Sequence, residues 1–451
     1  MATNGQPASS GITRISVTGF KSLATKTDVE IRPLTVLAGA NSSGKSSLMQ
    51  PLLLMKQTLE SAFNPAGPFR LSGPYTNYTE SRQFLSRFGS EIESPQRLEL
   101  DFEIGRRATA GFTFAVDSDG SFGAVETRGS QIDGERAGPW SVTKQSPSDY
   151  LERISRSWLG RFDIIGPVEF RADRYKYYLV VQALSSSDAE FSKSQFYELP
   201  DTLALNSEIR ELIHVPGLRG DQNRKWLLAN VSAFIFFAGA AFEGPFEAYV
   251  PSLIDQWQTS QDQSKINQLI AGLSFLNMAH GVRTVRVNES EIEVRVPRTA
   301  KSDVGGYVNI ADVGLAVSTV LSVLVALIQA EPNQLVYIEQ PELHLHPRAQ
   351  WKLAQLLIQA ANRGIRLVIE THSSLLIQGI LTCVAKSAIA PENVALHWFT
   401  RNDEGVTSVR MADLDAQGRV GDWPEDFSNV EMAATNEYLD AVESKLMANQ
   451  Q

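Results

Sequence analysis

Short apolar runs and longer amphipathic stretches alternate in two parts of the chain, and the part between them follows a different rhythm. Near the start, ITRISVTGF and TDVEI carry the alternation and β-branched residues of half-buried strands. Leu34–Ala38 is a continuous apolar run of the length that suits a fully buried strand. A Gly/Ser-rich turn and the helical stretch SSLMQPLLLMKQTLESAF follow, with Pro51 marking a kink or a start. Beyond residue 307 the order strand–helix returns: YVNI, a helix from Asp312 to about Ala330, QLVYIE, RAQWKLAQLLIQAAN, RLVIE and SSLLIQGILTCVAK. That order predicts a mostly parallel sheet covered by helices. Between these parts, RLELDFEI, GFTFAV and FGAVET read as successive strands, SEIRELI as helix, and VRTVRVNESEIEVRV as a hairpin around Asn288 and Glu289. The tail adds VALHWFT and VTSVRM as a strand pair and an acidic helix ending at Lys445. The expected division is a split α/β core at 1–65 and 307–390, an inserted β-rich and helical lobe at 66–306, and a C-terminal α+β appendage at 391–451. No heptad pattern supports a coiled-coil arm.

Composition adds limits. With 451 residues, 43% hydrophobic and 20% charged, the chain fits a globular protein of two to three domains. A net charge of -10 argues against a surface that coats DNA through phosphate neutralisation. The single cysteine, Cys383, excludes an intrachain disulfide and a cysteine metal cluster, which suits a cytoplasmic setting. MATNGQPASSGITR lacks the apolar run of a signal peptide. The longest apolar stretch, Leu315–Ala330, falls short of the ~20 residues of a membrane span and reads as a buried helix.

Three motifs carry chemistry. Gly39, Ala40, Asn41, Ser42, Ser43, Gly44, Lys45 and Ser46 match G-x-x-x-x-G-K-[ST] between a buried strand and a helix. Glycines let main-chain N–H groups turn around phosphate oxygens, the helix N-terminus faces the anion, Lys45 reaches the β/γ-phosphates, and the Ser46 hydroxyl can ligate Mg²⁺. ATP and Mg²⁺ are therefore the expected ligands, with Ser47 beside the cradle. Leu335–Glu342 is a hydrophobic strand ending in an acid; Glu339 stands where such folds hold the magnesium shell. Glu370-Thr371-His372-Ser373 closes the next strand, placing His372 where it can meet the γ-phosphate or attacking water.

In this order and spacing the motifs resemble the ABC-type ATPase heads of the RecF, SMC and OLD-nuclease group. Gly19-Phe20-Lys21-Ser22-Leu23 resembles that group's opening, and Pro341-Glu342-Leu343-His344-Leu345-His346-Pro347 its loop after the acidic strand. The resemblance implies a P-loop ABC-type head, a nucleotide contact from Lys21, and a signature motif at Asp312–Ser318. From that motif Ser318 would face the γ-phosphate of a partner head in a homodimer. His214–Gly220 and Gly421–Phe427 resemble bacterial AAA-family proteins with a C-terminal domain of unknown function, many of which are ATPase subunits of phage-defence cassettes. That implies a gating ATPase with an effector encoded in the same operon. A DNA-processing ATPase and an ATP-holding module with little turnover stand as alternatives.

Two departures bear on turnover. Gln340 fills the catalytic glutamate position, where an amide can orient water but not accept its proton, a loss typically worth ~10²–10⁴-fold; Glu342 is the candidate substitute. The signature reads VGLAVS instead of a Gly-Gly turn. His344 and His346 at i, i+2 are too few ligands for zinc. Phe170–Tyr178 mixes basic and aromatic residues but reads first as a strand with one solvated face. About sixty residues follow the last core strand, short for a Toprim nuclease, so no intrinsic nuclease is expected.

Overall fold

The computed structural model describes residues 11–87, 96–105, 108–131, 139–159, 168–185, 194–217, 223–229, 231, 242, 244–298, 306–421 and 437–440. The chain opens with β1 (Ile12–Thr18) and β2 (Thr27–Glu30), then β3 (Leu34–Gly39), whose end turns into α1 (Lys45–Leu59). β4 (Arg97–Ile104), β5 (Ala108–Val116), β6 (Phe122–Gln131) and β7 (Trp140–Thr143) join the first two strands in a six-stranded antiparallel sheet, order β2-β1-β4-β5-β6-β7. After α2 (Ser148–Leu159), β8 (Val168–Tyr175), β9 (Tyr178–Ser185) and β10 (Ser194–Tyr197) form a three-stranded sheet.

α3 (Pro200–Glu211) leads into β11 (Ile213–Val215). A small sheet centred on β14 (Glu291–Pro297) gathers β12 (Trp226–Leu227), β13 (Arg283–Arg286) and β15 (Tyr307–Asn309), beside α4 (Val250–Thr259) and α5 (Ser264–Phe275). The strand–helix alternation then runs α6 (Leu315–Gln329), β16 (Leu335–Glu339), α7 (Pro347–Asn362), β17 (Arg366–Thr371), α8 (Ser374–Ala385), β18 (Val394–Arg401) and β19 (Thr407–Met411).

The central sheet has the order β11-β16-β17-β3-β18-β19. Its first five strands are parallel, and β19 returns antiparallel along β18. Parallel strands covered on both faces read as continuous apolar runs, because each face must be buried. Val336 and Ile338 of β16, Leu367 and Ile369 of β17, and Leu34, Val36 and Ala38 of β3 enter one core with α4, α5, α6, α7 and α8. Leu335 and Tyr337, Val368, and Leu37 point the other way, into a second core with α1, α3 and the antiparallel sheet. The sheet is thus the partition between two apolar layers.

The sheet also crosses the division drawn from sequence. β11 comes from the stretch set apart as an insertion, and β18 and β19 from the stretch set apart as an appendage. β18 lies directly against β3, so the segment after residue 390 completes the core. The helix expected to kink or begin near Pro51 begins at Lys45 and passes through the proline, buried along most of its length. The helix expected from Asp312 begins at Leu315, with Gly314 as its N-cap after a 3-10 turn at Ile310–Asp312. Asp312 is left outside the helix, paired with Arg224.

The hairpin at Asn288 and Glu289 joins β13 to β14. In the β8–β9 hairpin Phe170 is buried while Arg171 is exposed and pairs with Glu169. Arg174 donates to the carbonyls of Pro65 and Gly67, and buried Lys176 to those of Ser61 and Phe63, so these cations brace a loop. Arg219, the run 422–427 and all but 437–440 of the acidic helix lie outside the described residues.

Candidate functional site

β3, β16 and β17 end together at one edge of the sheet, with Glu339 level with Glu370 and Thr371 level with Ala38. In open parallel sheets the crevice beyond the strands' carboxyl ends is where ligands bind. The turn from β3 into α1 is strained in a purposeful way. Gly39 (φ 149), Ser42 (φ 61) and Gly44 (φ 103) all have positive φ. A Cβ at Gly39 would stand 2.4 Å from the Phe399 carbonyl oxygen, and one at Gly44 would stand 2.4 Å from Thr407 Oγ1. Only glycine fits either position.

Thr407 matters beyond that contact. Its hydroxyl, 2% exposed as a residue, donates to the Ser43 carbonyl at 2.8 Å and lies 2.8 Å from Ser22 Oγ, while its N–H donates to the Ser22 carbonyl. The strand after β18 therefore buttresses the turn from behind.

A cavity of about 850 Å³ opens in front of the turn. It is lined by Asn41 to Ser47 and by the cations Lys21, Lys45, Arg82, Arg87 and Arg401, with Glu370 as its one carboxylate among the described residues. For a chain of net charge -10 this is a strong local inversion, and it suits a polyanion. Lys45 Nζ is folded onto its own loop, donating to the carbonyls of Gly39 (3.1 Å) and Ala40 (2.7 Å). Burial pulls its pKa down, and the charges of Glu370 and Glu342 oppose that shift. Lys21, itself at positive φ, donates to Gln50 Oε1 at 2.6 Å and sits 5.2 Å from the centre of the Tyr78 ring.

The acids divide into three. Glu339 accepts from the Gly217 N–H at 3.0 Å through one oxygen and lies 3.0 Å from His214 Nε2 through the other. Burial pushes Glu339 up, yet the His214 hydrogen bond and charge, the Gly217 N–H and Tyr337 together hold it below the ordinary carboxylate value. Glu370 accepts from the Ser46 hydroxyl at 2.9 Å and from the buried Tyr337 hydroxyl at 2.9 Å. Burial raises the Glu370 pKa. Glu342 accepts from Thr371 Oγ1 (2.7 Å) and the His372 N–H (2.9 Å) with Oε1, while its Oε2 is buried and has no hydrogen-bond partner among the described residues.

His372 lines the cavity; burial, then the Lys45 charge, lower its pKa, with the Gly39 carbonyl pulling the other way, so the ring is neutral at neutral pH. Gln340 holds φ 45 and donates its N–H to the Glu370 carbonyl at 2.7 Å, which turns its side chain toward the same opening.

The structure thus brings together Lys21, the residues 39–47, Gln340, Glu370 and His372, with Glu339 and Glu342 flanking them. It does not bring in Ser318, which lines a separate cavity beside Trp226 and Leu321 and donates to the Leu315 carbonyl. His346 caps α7, its Nδ1 accepting from the Arg348 N–H at 3.3 Å. Sequence reasoning passed over Glu370, Ser22 and Thr407 as site residues. The signal for Glu370 was present, since it ends a buried strand as Glu339 does; for Ser22 and Thr407 no local signal exists.

A parallel sheet of this order, with a Gly/Ser turn feeding a helix from a central strand and acids at the ends of the next two strands on one side of it, defines a P-loop ATPase domain of α/β architecture. The chain belongs to the family described as "AAA domain, putative AbiEii toxin, Type IV TA system", which matches residues 34–170 and 207–378, more than half of it. Residues 389–429 match a second family, described as a protein of unknown function (DUF3696). No curated protein matches the chain.

Among solved structures, an SMC head bound to the C-winged helix domain of ScpA is 11% identical, covering 90% of this chain and 98% of its own, with a TM-score of 0.44. The SMC head domain from Thermotoga maritima is 10% identical, covering 90% and 100%, with a TM-score of 0.36. An Smc head with an extended coiled coil, bound to the C-terminal domain of ScpA derived from Pyrococcus furiosus, is 9% identical, covering 89% and 96%, with a TM-score of 0.41. The fold assignment rests on strand order and family, not on these distant likenesses. Among the described residues no helix is long and apolar enough to cross a membrane.

Proposed function

We propose that the chain binds ATP with magnesium in the cavity before α1, hydrolyses it slowly, and pairs with a second copy on nucleotide so as to gate an effector protein. The observation that carries this reading is the left-handed turn at Gly39–Gly44, held against Thr407 and opening into a pocket with five cations. Main-chain N–H groups at a helix N-terminus are a ready site for phosphate. The metal's donors fit as well: the Ser46 hydroxyl and the Glu370 carboxylate beside it offer oxygen ligands, which magnesium prefers. Bound there, Mg²⁺ would neutralise charge developing on the phosphates.

Slow turnover follows from Gln340, which lacks a basic group. His372 lines the same cavity beside the loop, within reach of a terminal phosphate or an attacking water. Pairing is supported by α6: its first turn, with Ser318 and the 37% exposed Leu315, lies away from the chain's own loop cavity. A nucleotide contact from that turn would come from a second chain. An effector encoded nearby, in a phage-defence or toxin system within the cytoplasm, accords with the toxin–antitoxin wording of the family description. The test is equilibrium ATP binding by the wild type and by Lys45→Ala. Binding lost in the variant supports the site; undiminished affinity in Lys45→Ala rules it out.

A further inference from the structure

We propose that Glu370, not Glu339, is the carboxylate that completes the magnesium shell, and that Glu339 is committed to holding the Ile213–Gly217 segment. This rests on the ATP-binding reading above. Three observations carry it. First, position: β17 is the direct neighbour of β3, whereas β16 is the next strand out. At about 4.8 Å per strand, Glu370 springs from roughly 5 Å beside the P-loop strand and Glu339 from roughly 10 Å.

Second, chemistry. A serine hydroxyl that gives a lone pair to a metal must donate its proton elsewhere, and the acceptor for Ser46 is Glu370 at 2.9 Å. Tyr337 donates to the other oxygen of Glu370 at 2.9 Å and so helps aim the carboxylate. Its charge reaches Lys45, tying the acid, the hydroxyl and the phosphate-binding ammonium into one cluster.

Third, occupation. Both oxygens of Glu339 are engaged on the far side, one by His214, which stacks on Tyr337 with centroids 5.2 Å apart, the other by the Gly217 N–H. Gly217 has little room: a Cβ there would lie 3.3 Å from the Glu339 carboxylate. That clasp joins β11 to β16 just before residues 218–222. Glu339 therefore fixes the outer edge of the sheet, and the acid facing the phosphates comes from the strand between.

The experiment measures ATP affinity with magnesium and with the metal chelated, for the wild type, Glu370→Gln and Glu339→Gln. The ratio of the two affinities is the metal's contribution, read without turnover. Supporting partners of a metal site typically contribute about 10–100-fold to metal affinity. Glu370→Gln should lower the ratio by about that factor while keeping magnesium-free binding; Glu339→Gln should keep the ratio. An unchanged ratio in Glu370→Gln overturns the assignment, as does an equal fall in both variants. Should Glu370→Gln fail to bind magnesium-free ATP, Glu370→Asp, which keeps the charge on a shorter arm, carries the comparison: a reduced ratio supports the proposal and a wild-type ratio overturns it. Absence of ATP binding by the wild type would instead sink the functional reading on which it rests.

Discussion

Replacing Thr407 by valine removes one hydroxyl and little volume, at a position far from any phosphate contact in sequence. That hydroxyl holds the Ser43 carbonyl from behind and meets Ser22 Oγ, both at 2.8 Å, in a spot where Thr407 is 2% exposed. Without it the Ser43 carbonyl loses its donor and the Ser22 hydroxyl a neighbour, and all three residues are buried. Leaving such buried groups unsatisfied costs about 1–3 kcal/mol. If that energy is what keeps the turn in its cradle shape, the fraction of chains with a competent loop falls accordingly, and the ATP dissociation constant rises by roughly 5- to 140-fold. The assay is ATP titration of Thr407→Val beside Thr407→Ser, with urea unfolding of both. Thr407→Ser keeps the hydroxyl and should bind as the wild type does. Wild-type affinity in Thr407→Val would refute the claim that the tail strand sets the loop.

Other perturbations follow from the same contacts. Gly44→Ala forces a Cβ against Thr407 at a residue with φ 103, so ATP binding should be lost; titration of the variant decides. Gln340→Glu restores a basic group, and steady-state hydrolysis should rise by up to ~10²–10⁴-fold if a base limits turnover; no change rejects that view. Glu342→Gln should lower hydrolysis while leaving ATP affinity intact, because Glu342 meets Thr371 and the His372 N–H from outside the cradle; unaltered turnover removes it from the reaction. Leu315→Glu should block MgATP-dependent pairing but not ATP binding, which light scattering with and without nucleotide would show.

Burial holds the His397 pKa below 6.5, against the Glu30 carbonyl and charge, with Arg32 and Arg14 also opposing protonation. The unfolded chain then takes up a proton that the fold refuses, so this histidine costs stability as pH falls below about 6.5. His397→Gln should lack that part of the slope in urea midpoints between pH 7.5 and 5; an identical slope would contradict the burial argument.

The helical and parallel-strand half of the fold was legible because its strands are buried on both faces. LTVLA, LVYIE and RLVIE each hold a near-continuous apolar run, and each ends where chemistry begins. The antiparallel strands were visible as runs but not as partners. β18 is as apolar as the other core strands, yet sequence placed it in an appendage, since composition does not say which sheet a strand joins. β11 has three residues and gives no periodic signal of its own. The loop, Lys45, Ser46 and His372, which the fold gathers at one cavity, were marked by local spacing. Thr407 and Ser22 could not be, because 385 positions separate two groups that meet only in the folded chain. Glu339 and Glu370 look alike in sequence; strand order and hydrogen-bond partners are what separate their roles.

The central claim is that the turn at Gly39–Gly44 cradles a triphosphate. A structure of the chain with magnesium and a non-hydrolysable ATP analogue tests it most directly. The account expects phosphate oxygens within hydrogen-bond reach of the main-chain N–H groups of residues 41–46, with Lys45 Nζ released from the Gly39 and Ala40 carbonyls onto the phosphates. Analogue bound elsewhere, with Lys45 still folded onto its own loop, would contradict it.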